Sequence, residues 1–199
     1  RVRQRAAVKV AMSDLPKERP ANVTVIHPNC GALLAKVVMR LSGRSGVVSV
    51  IDSDRETLGV VDLGMHKRPE GVELRLVQED LALIASGHST LHHPLQDVIV
   101  VDGMVDHLPD RLVASLAVWC AEHLHPSGRA VFTCFGPSSD AVAFDHLVGW
   151  PHIRRTPGEL AELLQSAGLS VEVQDVGDEE PHCGVVVEAV SAPGGLPRS

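Results

Sequence analysis

The sequence predicts an α/β fold: a mostly parallel sheet of seven strands with helices on both faces and a C-terminal antiparallel hairpin. Three observations carry that expectation. Short apolar runs alternate with segments whose apolar residues recur at helical spacing, the pattern of strand–helix units around a parallel sheet. The second run, Val47-Val48-Ser49-Val50-Ile51, is closed by Asp52 about twenty residues beyond the turn that follows the first, the spacing of a nucleotide-type domain. Finally, two strand-like runs near the C-terminus are parted by a turn rather than by a helix.

Taken in order, residues 1 to 14 read as an amphipathic helix with Val2, Ala6, Val10 and Leu15 on one side, ended by Pro16 and Pro20. Val23 to Ile26 is a short, wholly apolar strand, followed by the turn His27-Pro28-Asn29-Cys30-Gly31. Ala32 to Leu41 is a helix terminated by Ser42-Gly43, Val47 to Ile51 the second strand, Arg55 to Met65 a helix, and Val72 to Val77 the third strand. Leu81 to Leu95, rich in His, Ser and Gly, reads as a short helix plus a loop, and Asp97 to Val101 as a buried fourth strand. Pro109 to Leu124 is the clearest helix, with proline at its start and Leu112, Leu116, Trp119 and Leu124 at helical spacing. Arg129 to Phe135 is the fifth strand, and the loop from Gly136 to Trp150 carries a helical turn through Ala141 to Leu147. Thr156-Pro157-Gly158-Glu159 spells a capping box with proline at the first helical position, and that helix stops at Gly168. Val171 to Val176 and Val185 to Val190 form the last two strands, joined by the acidic turn Gly177-Asp178-Glu179-Glu180-Pro181. The resulting architecture is Rossmann-like.

A chain of 199 residues with 44% hydrophobic composition fills one core well and two cores poorly. The organisation read from it is an N-terminal helix over 1–20, one α/β domain over 21–191 and a Pro/Gly tail, expected to be disordered, over 192–199. A net charge of -7 argues against a phosphate-backbone binder, so no nucleic acid is expected as a partner. Arg1, Arg3 and Arg5 read as the solvated face of the first helix. There is no run of about eighteen apolar residues to span a membrane and no secretory pattern at the start, so a cytoplasmic protein is expected. Cys30, Cys120, Cys134 and Cys183 are widely spaced, as reduced thiols are. With 3% aromatics and no tyrosine, the core is aliphatic and base-stacking platforms are scarce.

Several residues invite a functional reading beside a plainer one. Asp52 stands where a carboxylate accepts ribose hydroxyls, but Asp52-Ser53-Asp54 also precedes a helix that a carboxylate can cap. Asp80 can likewise face a ligand or cap the helix from Leu81, and Asp102-Gly103 can line a ligand crevice or serve turn chemistry alone. His107 can act as a general base toward a hydroxyl acceptor or simply pack. His88, His92 and His93 are closely spaced, yet nothing completes a tetrahedral set; surface histidines and no metal are expected. Cys30 opens a helix, where the dipole lowers a thiol's pKa, without an evident base beside it. Neither a G-x-S-x-G elbow nor a Walker-type loop occurs.

The stretch from Asp97 to Asp110, Asp97-Val98-Ile99-Val100-Val101-Asp102-Gly103-Met104-Val105-Asp106-His107-Leu108-Pro109-Asp110, resembles the class I S-adenosylmethionine-dependent methyltransferases. More narrowly it is similar to the bacterial subgroup linked to fatty-acid methyl ester signals, the extracellular-factor type. His125-Pro126-Ser127-Gly128-Arg129 is similar to that family's L-x-P-G-G turn, and Trp150 with Arg154-Arg155-Thr156 to its W…YRT pattern. The resemblance implies S-adenosylmethionine as cofactor, lying across the carboxyl ends of strands one, two and four. It sets His27, Asn29 and Gly31 toward the methionine part, Asp52 and Ser53 toward the ribose, Glu79, Asp80 and Leu81 toward the adenine, and Asp102 and Gly103 near the sulfonium. His107 stands where the family usually has a tyrosine, and Cys134 where it has an asparagine. The family's G-x-G turn is replaced by His27-Pro28-Asn29, with Asn29 able to stand in for one glycine and Gly31 retained.

The function this implies is methyl transfer to an oxygen, perhaps of a carboxylate, in a small acyl or secondary-metabolite acceptor. Two rivals follow from the changed turn: a methyltransferase-like protein without donor binding that serves as a binding or assembly partner, and a pocket repurposed for another small-molecule reaction. The sequence leaves a homodimer and a separate protein partner equally open.

Overall fold

The computed structural model describes residues 9, 11–13, 15–28, 31–134, 153–174 and 185–191. Most of the expected N-terminal helix lies outside them, as do Asn29, Cys30, the 136–150 loop, the acidic turn at 177–181 and the tail over 192–199. The described elements are β1 (Ala21–Ile26), α1 (Ala32–Arg40), β2 (Gly46–Asp52), α2 (Arg55–Gly64), β3 (Val72–Gln78), α3 (Leu81–Ala85) and β4 (Gln96–Asp102). A 3-10 turn (Met104–His107), α4 (Asp110–His123), β5 (Leu124–Cys134), α5 (Pro157–Ser166), β6 (Leu169–Gln174) and β7 (Val185–Ser191) follow. The strands hydrogen-bond in the order β3-β2-β1-β4-β5-β7-β6. Pairs from β3 to β5 are parallel, whereas β7 runs antiparallel to both β5 and β6.

The Val/Ile runs of β1, β2 and β4 are continuous because both faces of the central strands are covered. Val23, Val25, Val48, Val50, Val98 and Val100 pack under Leu33, Leu34, Val37 and Val38 of α1 and Leu58 and Val61 of α2. On the opposite face Ile26, Ile51, Ile99, Val101 and Phe132 meet Val113 and Leu116 of α4 and Leu160 and Leu164 of α5. Each such buried side chain contributes roughly 1.5–3 kcal/mol. At the edge, β3 exposes a Glu73–Arg75 ion pair (2.6 Å), which discourages pairing with another strand.

One helix start agrees with its residues and another is displaced. Thr156 accepts from Glu159 N while Glu159 returns a bond to Thr156 N, the expected capping box. Pro109, expected as the first helical residue, is the extended cap (ψ 156°), so the helix proper begins at Asp110. The fifth strand begins at Leu124 rather than Arg129. Gln96 pairs with Leu124 and Val98 with Arg129, so His125 to Gly128 bulge out of the ladder between them. A Cβ on Gly128 would lie 2.7 Å from the Gln96 carbonyl oxygen, which is why glycine stands there.

Arg155 is 3% exposed and ties α5 to the stretch after β4. Its guanidinium donates to the carbonyls of Val105 and Leu108 (both 2.6 Å) and to Asp110 Oδ1 (2.7 and 3.1 Å). Ile153 N adds a bond to Asp106 O (2.7 Å). These bonds fix the 3-10 turn, and His107 with it, at the carboxyl end of the sheet.

Candidate functional site

Register assembles the site. Ile26 pairs with Ile51 on one side and Val101 on the other, so the next residues, His27, Asp52 and Asp102, stand in a row along the sheet's carboxyl rim. His27 N donates to Ile51 O (3.0 Å), and Glu79 N to Asp52 O (3.1 Å), which extends the rim to the end of β3. With neighbouring strands ~4.8 Å apart, Asp52 and Asp102 flank His27 across ~10 Å. This is the switch-point crevice of an open parallel sheet, where ligands bind.

His27 has φ 56°, the left-handed region that an L side chain rarely enters, and Gly31 has φ 71° with open space around its Cα. The bend therefore keeps a glycine-like angle while carrying an imidazole. That ring stands against Asp52: His27 Nδ1 lies 3.5 Å from Asp52 Oδ2, a carboxylate whose side chain is 4% exposed. Asp52 Oδ1 accepts from Asp54 N (2.9 Å), but Asp52 Oδ2 and His27 Nδ1 are both buried and neither makes a hydrogen bond. The helix-capping alternative for Asp52 is not realised. Asp54 caps α2 instead, accepting from Glu56 N and Thr57 N. Ser53, beside it, is exposed.

Asp80 does cap α3, accepting from Ala82 N (2.8 Å), and Leu81 opens that helix, packed against the core on the α4 side. Asp102 is buried, and the Thr133 hydroxyl donates to its Oδ1 (2.8 Å) while accepting from Gly103 N (2.9 Å). Burial pushes the Asp102 carboxyl above its usual range, opposed by that hydroxyl and by the nearby His27 and Lys36. Gly103 has φ 70°, which turns the chain sharply out of β4 into the 3-10 turn. His107, at the end of that turn, is exposed, its ring edge-on to His27 with centroids 6.3 Å apart.

The structure thus brings His27, Asp52, Asp102, Gly103 and His107 together; Asp80 and Leu81 stand at the end of β3, and Asn29 lies outside the described residues. Sequence reasoning missed Thr133, which only the β4–β5 register places beside Asp102. It also misread His93. That ring is half-buried, stacks on Trp119 (centroids 6.2 Å), and meets Thr24 Oγ1 at 2.6 Å at the opposite end of the sheet. Among the described residues no cluster of His, Cys, Asp or Glu could hold a metal ion, and no helix is long and apolar enough to cross a membrane. Cys120 and Cys134 are buried and form no disulfide, and burial pushes the Cys120 thiol pKa far up, so it is a packing residue.

No family model matches this sequence, and no curated protein does either. Solved structures do share the fold. Magnesium protoporphyrin IX methyltransferase from Synechocystis PCC 6803, with bound SAH, aligns at 15% identity over 96% of this chain and 84% of its own, with a TM-score of 0.69. Mitomycin 7-O-methyltransferase aligns at 16% identity over 95% of this chain and 54% of its own, with a TM-score of 0.66. The carbon methyltransferase CurJ aligns at 14% identity over 95% of this chain and 54% of its own, with a TM-score of 0.73. The chain thus spans about half the length of the last two. The fold is that of class I methyltransferases.

Proposed function

We propose that the chain binds S-adenosylmethionine along the carboxyl rim and transfers its methyl group to an oxygen of a small acyl or secondary-metabolite acceptor. The observation that carries this reading is Asp52, whose Oδ2 is buried without a hydrogen bond at the end of β2. An ionised carboxylate oxygen in that condition wants a donor, and a ribose hydroxyl supplies one. The positive φ angles at His27 and Gly31 and the methyltransferase fold support the same reading.

In this reading Asp52 and Ser53 hold the ribose, and His27, Asn29 and Gly31 form the bend beside the methionine part. Leu81 offers the adenine an apolar surface; the Asp80 carboxylate is already engaged with Ala82 N and contributes its position. When bound, the cofactor supplies an electrophilic methyl carbon on a sulfonium. An acceptor oxygen would take that methyl, and the sulfur would keep the bonding pair of the C–S bond. Asp102 and Gly103 border that point in this reading. His107 faces the acceptor as the base for a hydroxyl; a carboxylate acceptor is already a nucleophile and needs only alignment. The acyl class, and hydroxy fatty acids within it, follow the likeness of the Asp97 to Asp110 segment to the extracellular-factor type.

Calorimetric titration with S-adenosylmethionine and its demethylated product tests the reading. Micromolar binding that falls at least ~10-fold in Asp52→Ala, the loss of a charge-assisted hydrogen bond, supports it. No heat at millimolar ligand, from the wild type and from a variant with glycine restored at position 27, refutes it and leaves a binding or assembly partner. Labelled-methyl transfer to hydroxy fatty acids then tests the acceptor.

A further inference from the structure

The bend that replaces the glycine turn is costly as it stands. His27 holds a left-handed φ, and its Nδ1 and the Asp52 Oδ2 are two buried polar atoms, 3.5 Å apart, within ion-pair reach but without a hydrogen bond to each other or to any described residue. A left-handed angle on an L residue and a buried polar atom without a hydrogen bond are both unfavourable. Such costs gather where a ligand later removes them. Here they coincide at one point of the ligand-binding rim.

We infer that His27 Nδ1 and Asp52 Oδ2 together form a two-atom receptor for one ribose hydroxyl of the adenosyl group, an inference that rests on the donor-binding reading above. A hydroxyl oxygen between the two atoms sits ~2.8 Å from each, an ordinary hydrogen-bond length, once the ring has moved outward from its 3.5 Å approach to Asp52. It donates to the carboxylate, which only accepts, and accepts from the imidazole N–H. The ring is 27% exposed at its side chain, so it swings outward from Asp52 to admit the oxygen. The His107 ring stands edge-on to it, with centroids 6.3 Å apart. The imidazole thereby acts as a ligand-binding group in place of the backbone approach that glycine would allow.

The alternative, that His27 merely covers Asp52, predicts the opposite sign. The test is calorimetric titration of wild type, His27→Gly and His27→Asn with S-adenosylhomocysteine and with its 2′-deoxy and 3′-deoxy analogues, each variant first checked by thermal melting. Asn tolerates the left-handed angle and places an amide where Nδ1 stands. A receptor requires His27→Gly to bind the ribose ligand ~10-fold more weakly, His27→Asn to recover most of that loss, and the loss to vanish for one deoxy analogue. If the wild type binds and His27→Gly binds equally or more tightly, the receptor is refuted while donor binding stands. Binding that appears only in His27→Gly refutes the receptor and shows the ring to be an obstruction. Silence from every protein refutes the receptor together with the donor reading.

Discussion

Arg155 shows how much one side chain organises near the site. Its charge is neutralised by Asp110, which is itself 69% exposed, while its other donors satisfy two carbonyls of the chain that carries His107. Arg155→Ala strands those carbonyls and is expected to cost ~2–3 kcal/mol, read as a lower urea midpoint. Arg155→Lys recovers less than half, because an ammonium cannot span the fork of acceptors. The sequence marked this arginine only as part of a family-like string; its work depends on a partner 45 residues away. Asp102 is legible to the same limited degree. Its strand-end place shows in the sequence, but its pKa depends on burial and on Thr133, which no local pattern announces. Folding favours the protonated form of a carboxyl whose folded pKa is raised. That contribution is complete below the ordinary carboxyl value of 3.8 and is lost as pH rises through the higher folded value. Asp102→Asn, which stays neutral, should remove this decline from urea midpoints measured across the acid range.

At the scale of elements, glycine and cap chemistry decide the outcomes. Gly128→Ala puts a methyl against the Gln96 carbonyl oxygen and within 3.0 Å of the His125 backbone. Both neighbours are backbone, so relief must come from the β4–β5 ladder, and a loss of ~2–3 kcal/mol is expected in denaturant unfolding. Thr156→Ala removes the exposed capping box of α5 and should cost only ~1 kcal/mol by the same measurement. The capping box was readable because its signal is local, four residues in a fixed order. The parallel strands β1, β2 and β4 were readable because burial on both faces demands unbroken Val/Ile runs. The bulge at His125 to Gly128 was not, since it arises from where Gln96 and Val98 fall on a neighbouring strand. Nor was the His27 bend, whose left-handed angle contradicts the preference of its own residue. Local rules fail here at the carboxyl rim, where we propose that a ligand binds.

Across the whole molecule, the two ends of the sheet respond oppositely to pH. The carboxyl rim carries Asp102, while at the other end the half-buried His93 and His123 meet the buried Thr24, Gln96 and Trp119. Gln96 Nε2 donates to Pro94 O (2.7 Å), which turns its Oε1 toward Thr24; the Thr24 hydroxyl donates there (2.9 Å) and so accepts from His93 Nε2–H. A proton added to His93 must go to Nδ1. Burial, the neighbouring His123 and Arg75 oppose that charge and lower the His93 pKa from 6.5 to about 4. The unfolded chain takes up this proton near pH 6.5 and the folded one only near 4, so stability is full above 6.5 and falls as pH drops between those values. With the ring only partly enclosed and solvent screening its charge, the loss should be ~1–2 kcal/mol, well below what the full shift would give. His93→Gln removes the titration, so its urea midpoint should stay nearly flat over the interval in which the wild type declines. Parallel slopes in the two proteins would show that the His93 imidazole is as free to protonate in the folded chain as in the unfolded one, contrary to its packing against Trp119 and Thr24.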